Sequence, residues 1–421
     1  MVFNKNFTKA LLFIASFLTA TSSSAQSLSY KAFIDSVVEK NQAYQAEKLR
    51  VPMSEAILKG SRSIGNPSLS VEYGNNSDWG IQMGQSLDIG LSQHITLGVV
   101  SARKNVARKE LAIANNDLNG YLLELKADAT KCYLDALMAR DISELAHTSA
   151  DNMLSLAHGD SIRHSKGDIS ELDMLQTRIE ARMANQEYQA SLIEYQNALI
   201  TLDQLAGNIN RGTTSITGSL EATERTYRID ELNKLAMENR SDLKGAQLSI
   251  DLAESQQQLT RRERLPEAEL SLGISLNSRV RNEEAPAPEF IGYTAGLTLP
   301  LPFSNANKGN IKAAKLATRQ AELQSNALQN QVEAEIIQAL NRYQLAQKNA
   351  KTYSSQLVND AETILQGKLY AYQRGETSLL EVLSAQQTYN EVMKNHIESL
   401  HKCLEALVDL QKSVGIIDIN L

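Results

Sequence analysis

The chain has 421 residues, a formal charge of −7, 5% aromatic residues and two cysteines. An acidic balance excludes a nucleic-acid binder working through a basic surface, and two cysteines exclude a disulfide scaffold. Seven prolines, at 52, 67, 266, 286, 288, 300 and 302, leave 68–265 and 303–421 without any, which suits long helices.

Residues 1–25 read as a secretory signal. Lys5 and Lys9 precede the apolar run Ala10–Ala20, and Ser23-Ser24-Ala25 places the cut between Ala25 and Gln26. The run is too short to span a bilayer, and no cysteine follows it to carry a lipid. Cleavage removes two lysines and no acid, taking the charge to −9. Export leads to an oxidising compartment, where Cys132 and Cys403 are free to pair. They lie 35 residues before Gly167 and 28 after Gly375. If both glycines mark one level, the heights differ by roughly 10 Å at helical rise, beyond disulfide reach. Two buried free thiols are expected.

Residues 29–63 read as a helix kinked at Pro52. The period then becomes two: Leu69, Val71 and Tyr73 alternate with polar residues in 67–74, as do Ile89, Leu91, Ile95 and Leu97 in 88–97. Two strands in a hairpin follow. From 100 to 166 the helical period returns, with Leu118, Leu122, Leu125, Ala129, Cys132 and Ala136 at spacings of four and three, a coiled-coil seam. A helix of that length is ~100 Å long and must project. The chain turns at Gly167 and comes back through 168–206, about 60 Å; the 29–63 helix completes the length if it stacks end-on. Residues 208–228 are a polar linker with a short strand. A helix over 229–264 follows, with Asn239 in the place of Asn41. Pro266 opens a second strand pair, Leu270–Leu276 and Ile291–Phe303, around the charged loop NSRVRNEEAPAP. A long helix over 308–373, a turn at Gly375, a returning arm to 413 and a tail at 416–421 complete the chain.

The chain is therefore written twice. Residues 163–207 and 371–415 align without a gap at a shift of 208, which carries Gly167 onto Gly375 and Gly207 onto Gly415. The same shift matches Asp168 with Glu376, Ser170 with Ser378, Leu172 with Leu380, Asp173 with Glu381 and Leu202 with Leu410. Such a register marks an internal repeat, with units at 26–207 and 229–415. The fold class is mainly α with β: two long antiparallel helical hairpins and four strands per chain. Four strands do not close a barrel around a channel, and an open sheet leaves unpaired edges. Strands apolar on one face suit a bilayer-spanning barrel pooled from several chains; the other reading is a periplasmic structural coiled coil whose strands form a sandwich.

KGDISELDMLQ and RGETSLLEVLS resemble the glycine-marked hairpin turns of the TolC-like outer-membrane factors. LSQHITLGVVSARKNVARKEL and LTLPLPFSNANKGNIKAAKLA resemble that family's passages from strand to helix, and are similar to its heavy-metal branch serving RND-type pumps. The resemblance covers nearly the whole mature chain. It implies a homotrimer with a 12-stranded outer-membrane β-barrel above a periplasmic α-barrel, with a periplasmic adaptor and an inner-membrane pump as partners. It places adaptor contacts at Gly167, Asp168, Ser170, Gly375, Glu376 and Ser378. It also assigns a closing gate to Asp173, Tyr372 and Glu381. An arginine and an aspartate of the family's pattern are replaced by Thr377 and Ser384, a departure from its particular lock that leaves a ring of three Asp173 and three Glu381. A type I protein-secretion duct of the same family is the alternative.

Histidines 94, 147, 158, 164, 396 and 401 show no four-residue chelating spacing, and no G-x-S-x-G, P-loop or C-x-x-C occurs. No enzyme, no cofactor, no metal site and no nucleic-acid partner are expected.

Overall fold

The computed structural model describes residues 27–63, 65–76, 83–96, 98–207, 215–221, 225–264, 267–301 and 307–418; the expected cut at Ala25 and Gln26 lies outside them. The first half runs β1 (Ser27–Leu28), α1 (Tyr30–Lys40), α2 (Gln42–Lys48), α3 (Arg50–Gly60), β2 (Ser68–Asn75), β3 (Gln85–Ile95), α4 (Val99–Lys166) and α5 (Glu171–Leu205). The second half follows the same plan: β4 (Ser215–Ile216), α6 (Ile229–Asn239), α7 (Ser241–Arg262), β5 (Ala268–Asn277), β6 (Phe290–Thr298), α8 (Lys308–Thr352), α9 (Ser355–Gln373) and α10 (Leu379–Val414).

The 68-residue α4 is the spine. Near the sheet the helices lie side by side in the order α3, α4, α7, α8; towards the hairpin turns the order is α5, α4, α10, then α8 continued by α9. The main core fills the waist between these layers. Tyr133, Leu134 and Leu137 of α4 meet Ile336 and Tyr343 of α8, Leu404 and Val408 of α10, and Phe33 and Val37 of α1. Of the expected seam, Leu125, Ala129 and Ala136 are buried, while Leu118, Leu122 and Cys132 are half-buried against the same core. The Tyr133 hydroxyl lies 2.9 Å from Leu28 O and 2.5 Å from Thr217 O, pinning the parallel β1–β4 ribbon to the spine.

Each repeat closes on a matched joint. Asn41 leaves the helical region at φ −59°, ψ 116°, and its Nδ2 donates to Leu205 O at 3.1 Å, in the last turn of α5. Arg240 sits at φ −64°, ψ 123°, and its guanidinium donates to Ser413 O at 2.9 Å, in the last turn of α10. Leu205 and Ser413 are related by the shift of 208. Each returning helix then ends on a left-handed glycine, Gly207 at φ 70° and Gly415 at φ 82°. A Cβ on Gly207 would stand 2.7 Å from Lys40 O, and one on Gly415 would stand 2.9 Å from Arg240 N. The end-on stacking thus depends on glycine for close approach as well as for backbone sign.

Several expectations are corrected. Helix 29–63 breaks at Asn41 and Leu49 rather than at Pro52; Pro52 sits in the first turn of α3, where its missing N–H costs no ladder bond. Helix 229–264 is interrupted, and Arg240 rather than Asn239 takes the place of Asn41. Helix 308–373 is broken between α8 and α9. Both thiols are free, but Cys132 is only half-buried. The height estimate also fails. The contacts Asp135–His401 at 2.7 Å and Lys131–Glu405 at 3.7 Å bring Cys132 and Cys403 nearly level. Cys403 is turned about 200° around α10 from His401, away from α4.

The four-stranded sheet has the order β2-β3-β5-β6, every pair antiparallel. Its register lines up Val71, Ile89, Ile274 and Tyr293 in one row and Leu69, Leu91, Leu272 and Ala295 in the next, so one face is apolar from edge to edge. The other face interlocks hydroxyls with glycines. A Cβ on Gly90, Gly273, Gly292 or Gly296 would come within 2.6 Å of the hydroxyl of Ser70, Thr294, Ser275 or Ser271.

The two classes of left-handed glycine are expected to differ. Gly167→Asn has open space and a side chain that tolerates the conformation, so it costs about 1 kcal/mol or less. Gly415→Asn adds overpacking of roughly 1–3 kcal/mol. Denaturant unfolding of the purified proteins reads the difference; equal losses would show that the joint is not tightly packed.

Candidate functional site

The hairpin turns fold the same way. Gly167 at φ 83° lets its N–H reach His164 O at 2.9 Å and the Asp168 N–H reach Arg163 O at 2.9 Å. Gly375 at φ 74° does the same, with bonds of 3.0 Å to Tyr372 O and 2.9 Å from Glu376 N to Ala371 O. This is the double bond that ends a helix on a left-handed residue. Ser170 and Ser378 begin the returning helices, their hydroxyls accepting from Asp173 N at 3.1 Å and Glu381 N at 3.4 Å. Asp168 and Glu376 are exposed at the tips.

The expected gate acids have local partners. Asp173 stands third in its helix and accepts from Ser170 Oγ at 2.8 Å, so its carboxylate is tied to the hydroxyl that caps the helix. Glu381 is third in α10 and pairs with Lys368 Nζ at 2.5 Å; the hydrogen bond from that ammonium holds its carboxyl below the usual range. Ser384 lies exposed further along α10, and Thr377 is half-buried in the turn.

Tyr372 meets neither acid. Its hydroxyl donates to Asp160, with the two carboxylate oxygens at 3.1 and 3.0 Å. Asp160 is 1% exposed, and burial raises its carboxyl above the ordinary value despite bonds from Tyr372 and Thr177. Burial and the neighbouring carboxylate push the Tyr372 hydroxyl up to about 12, so it remains a donor. Arg163 completes the cluster: its NH1 lies 3.6 Å from Asp160 Oδ1, and its guanidinium carbon 4.9 Å from the Tyr372 ring centre. Met153, Leu156 and Ala157 of α4, Ala181 of α5, and Leu379 and Val382 of α10 seal it.

The shift of 208 explains the asymmetry. It places Lys368 opposite Asp160, Tyr372 opposite His164 and Glu381 opposite Asp173. The second hairpin holds a lysine and an acid, which pair. The first holds two acids, which repel; Asp160 turns inward to Tyr372, while Asp173 caps its own helix. Asp160 was legible as an acid on the stripe Met153–Leu156–Ala157–Asp160, spaced for the buried face. Among the described residues no group of histidine, cysteine and acid side chains could hold a metal, and no helix is long and apolar enough to cross a membrane.

A family model described as outer membrane efflux protein matches residues 232–416. The second repeat carries the sequence pattern of that family. It is 24% identical over 321 residues to the cobalt-zinc-cadmium resistance protein CzcC of Cupriavidus metallidurans, covering 76% of this chain and 74% of that one. It is also 24% identical to the pyoverdine export outer membrane protein OpmQ of Pseudomonas aeruginosa, over 70% of this chain and 61% of that one. The crystal structure of CusC superposes with a TM-score of 0.73 at 16% identity, covering 92% of each chain.

A double-mutant cycle tests the Asp160–Tyr372 bond. Tyr372→Phe and Asp160→Asn are each expected to cost about 1–3 kcal/mol in denaturant unfolding, with a coupling of about 1 kcal/mol between them. Additive losses would mean that the two groups are stabilised independently.

Proposed function

We propose that three copies close into one duct, that the hairpin tips meet a periplasmic adaptor, and that the duct passes heavy-metal cations delivered by an inner-membrane RND-type pump. One observation supports the assembly above the others: sheet and helical wall end on the same two sides. The edge strand β2 follows the edge helix α3, and the opposite edge strand β6 precedes the opposite edge helix α8. Leu49, at the cap of α3, and Met53 and Ile57 on its free face are exposed at one-turn spacing, and α8 exposes Leu316 and Leu323 two turns apart. Below the waist, α5 exposes Ile179, Met183 and Ile200, while α9 exposes Ile364. β2 and β6 run in opposite directions, so β6 of one copy and β2 of the next extend the antiparallel order. Apolar stripes and open edges on the same two sides fit further copies of the chain.

The tips favour a protein partner. Leu172 and Leu380 hold matched places in the first turns of α5 and α10 and are 76% and 73% exposed, beside glycines with open space around them. For the cargo, the similarity to CzcC favours cobalt, zinc or cadmium ions. Glu72 and Asp88 sit opposite each other across β2 and β3 on the polar face of the sheet, a like-charge pairing that a cation stream would relieve.

Native mass measurement of the detergent-solubilised mature protein is expected to give a trimer. Cells lacking the gene are expected to become sensitive to these ions, with Gly375→Pro failing to restore tolerance at a normal level of outer-membrane protein. A stable folded monomer in membranes would overturn the duct. Unchanged metal tolerance, with loss of export of an organic chelate, would replace the cargo and leave the duct standing.

The acids near the tips give a separate expectation. On a trimer, Asp173 and Glu381 would contribute six carboxylates, but Lys368 offsets each Glu381. Asp173→Asn is therefore expected to lower cation selectivity, read as the reversal potential of single channels in a salt gradient, more than Glu381→Gln does. Unchanged selectivity in both variants would reduce these acids to helix caps.

A further inference from the structure

Charge is spread unevenly along the molecule. Four passages join the sheet to the helical wall, at 55–67, 96–109, 255–267 and 299–315. Together they hold twelve lysines and arginines against three acids, Glu55, Glu263 and Glu267. The rest of the chain offsets that +9 with −16. The opposite end of the sheet shows no such excess: the connections 76–84 and 278–289 hold two arginines against four acids. Ten of the twelve basic side chains are exposed. Among the described residues only Lys109 has a carboxylate partner, Asp251 at 2.7 Å, which marks the lower limit of the belt. Helix stability explains only part of this pattern. α3 and α7 end here, where cations offset the carbonyl end of the dipole. α4 and α8 begin here with no acid in the first turn, so Lys308 and, more weakly, Arg103 and Lys104 stand against it.

We propose that this belt binds the headgroup phosphates of anionic phospholipids, of the phosphatidylglycerol class, in the periplasmic leaflet, and so sets the depth of the duct in the outer membrane. The inference rests on the reading of the chain as an outer-membrane duct. The strands of the sheet are 8, 11, 10 and 9 residues long, about what crosses the hydrocarbon layer. A headgroup layer of roughly 5–8 Å follows on each side, and the belt begins where the strands stop. Lys308, Lys312 and Lys315 share one face of α8, and Lys59 and Arg62 one face of α3. Their long stems let the charged heads reach up to phosphate from the first turns of helix. On α4 the face can be assigned. Lys104 and Arg108 precede Arg140 and Glu144 by 36 residues, about ten turns. Arg140 donates to Gly218 O at 3.0 Å, and Glu144 lines a groove with Ser219 and Leu220. Lys104 and Arg108 therefore share the side of the wall that carries the β1–β4 ribbon, a second layer that a closed tube accommodates on its outside. A cationic ring at one level, directly below an apolar face, fits a ligand with a phosphate at the head of an acyl chain.

The test is the lipid that the full-length mature protein retains from detergent micelles holding equal amounts of phosphatidylglycerol and phosphatidylethanolamine with the same acyl chains. Phosphatidylglycerol is expected to be retained about tenfold over the zwitterionic lipid. That preference is expected to collapse in about 1 M salt, where charges are screened within ~3 Å. Lys308→Gln with Lys312→Gln and Lys315→Gln is expected to lower it about threefold. Lys31→Gln with Lys166→Gln and Lys234→Gln, the same charge change away from the belt, is expected to leave it intact. If a variant fails to assemble, the preference of the parent protein decides. Equal retention of the two lipids by a protein that still inserts as an oligomer would overturn the belt and leave the duct standing. Absence of the protein from the outer membrane would remove the duct, and the belt with it. Displacement of phosphatidylglycerol by inorganic phosphate at constant ionic strength would show a free-anion site and also overturn the proposal.

Discussion

Two rows of unpaired backbone groups, on the outer edges of β2 and β6, constrain the rest of the molecule. A sheet that is apolar across one whole face can sit in lipid, but lipid offers its edges no hydrogen bonds. The edges must therefore find strands, and this chain supplies only four in that sheet. The helical layers obey the same geometry. α3 and α8 end the wall on the sides where β2 and β6 end the sheet, since each edge helix is joined to its edge strand by a short connection. Whatever satisfies the strands also covers the helices.

Below the sheet, the duplicated chain solves one problem twice with different side chains. Asn41 and Arg240 belong to different residue classes, yet each takes the same backbone conformation and donates to the last turn of a returning helix. The joint is defined by geometry, a turn away from the helical region opposite a left-handed glycine. At the tips the repeats diverge, because one hairpin inherits a lysine where the other has an acid. Charge sends Asp160 into the wall, where it binds across to the second hairpin. The buried bond between the hairpins is a result of that divergence.

The large features were readable from the residues. The periods of two and three-to-four, the ~100 Å spine and the glycine turns depend on local patterns, and the structure reproduces them closely. The breaks at Asn41, Arg240 and Tyr353 were not readable, because each is held by a partner distant in sequence: Leu205, Ser413 and His396. Proline was the expected marker at residue 52 and marked only a helix beginning. Of the site, the two glycine turns were legible, and Tyr372 was singled out as a gate residue. Its partner was not, because the expected acid lay on the returning helix and the structure supplies one from the outgoing helix. The misplaced cysteine heights share this origin: equal turns do not guarantee equal levels when two helical hairpins are staggered.

The polar face of the sheet also bears on passage. Ser70, Ser271, Ser275 and Thr294 lay their hydroxyls over glycines on neighbouring strands, so the surface there is short hydroxyls and bare main chain. Such a lining has little relief: few long side chains reach inward to grip, sieve or stack against a solute, and each hydroxyl exchanges partners with water at little cost. Away from the Glu72–Asp88 pair, that face offers a solute little chemical discrimination.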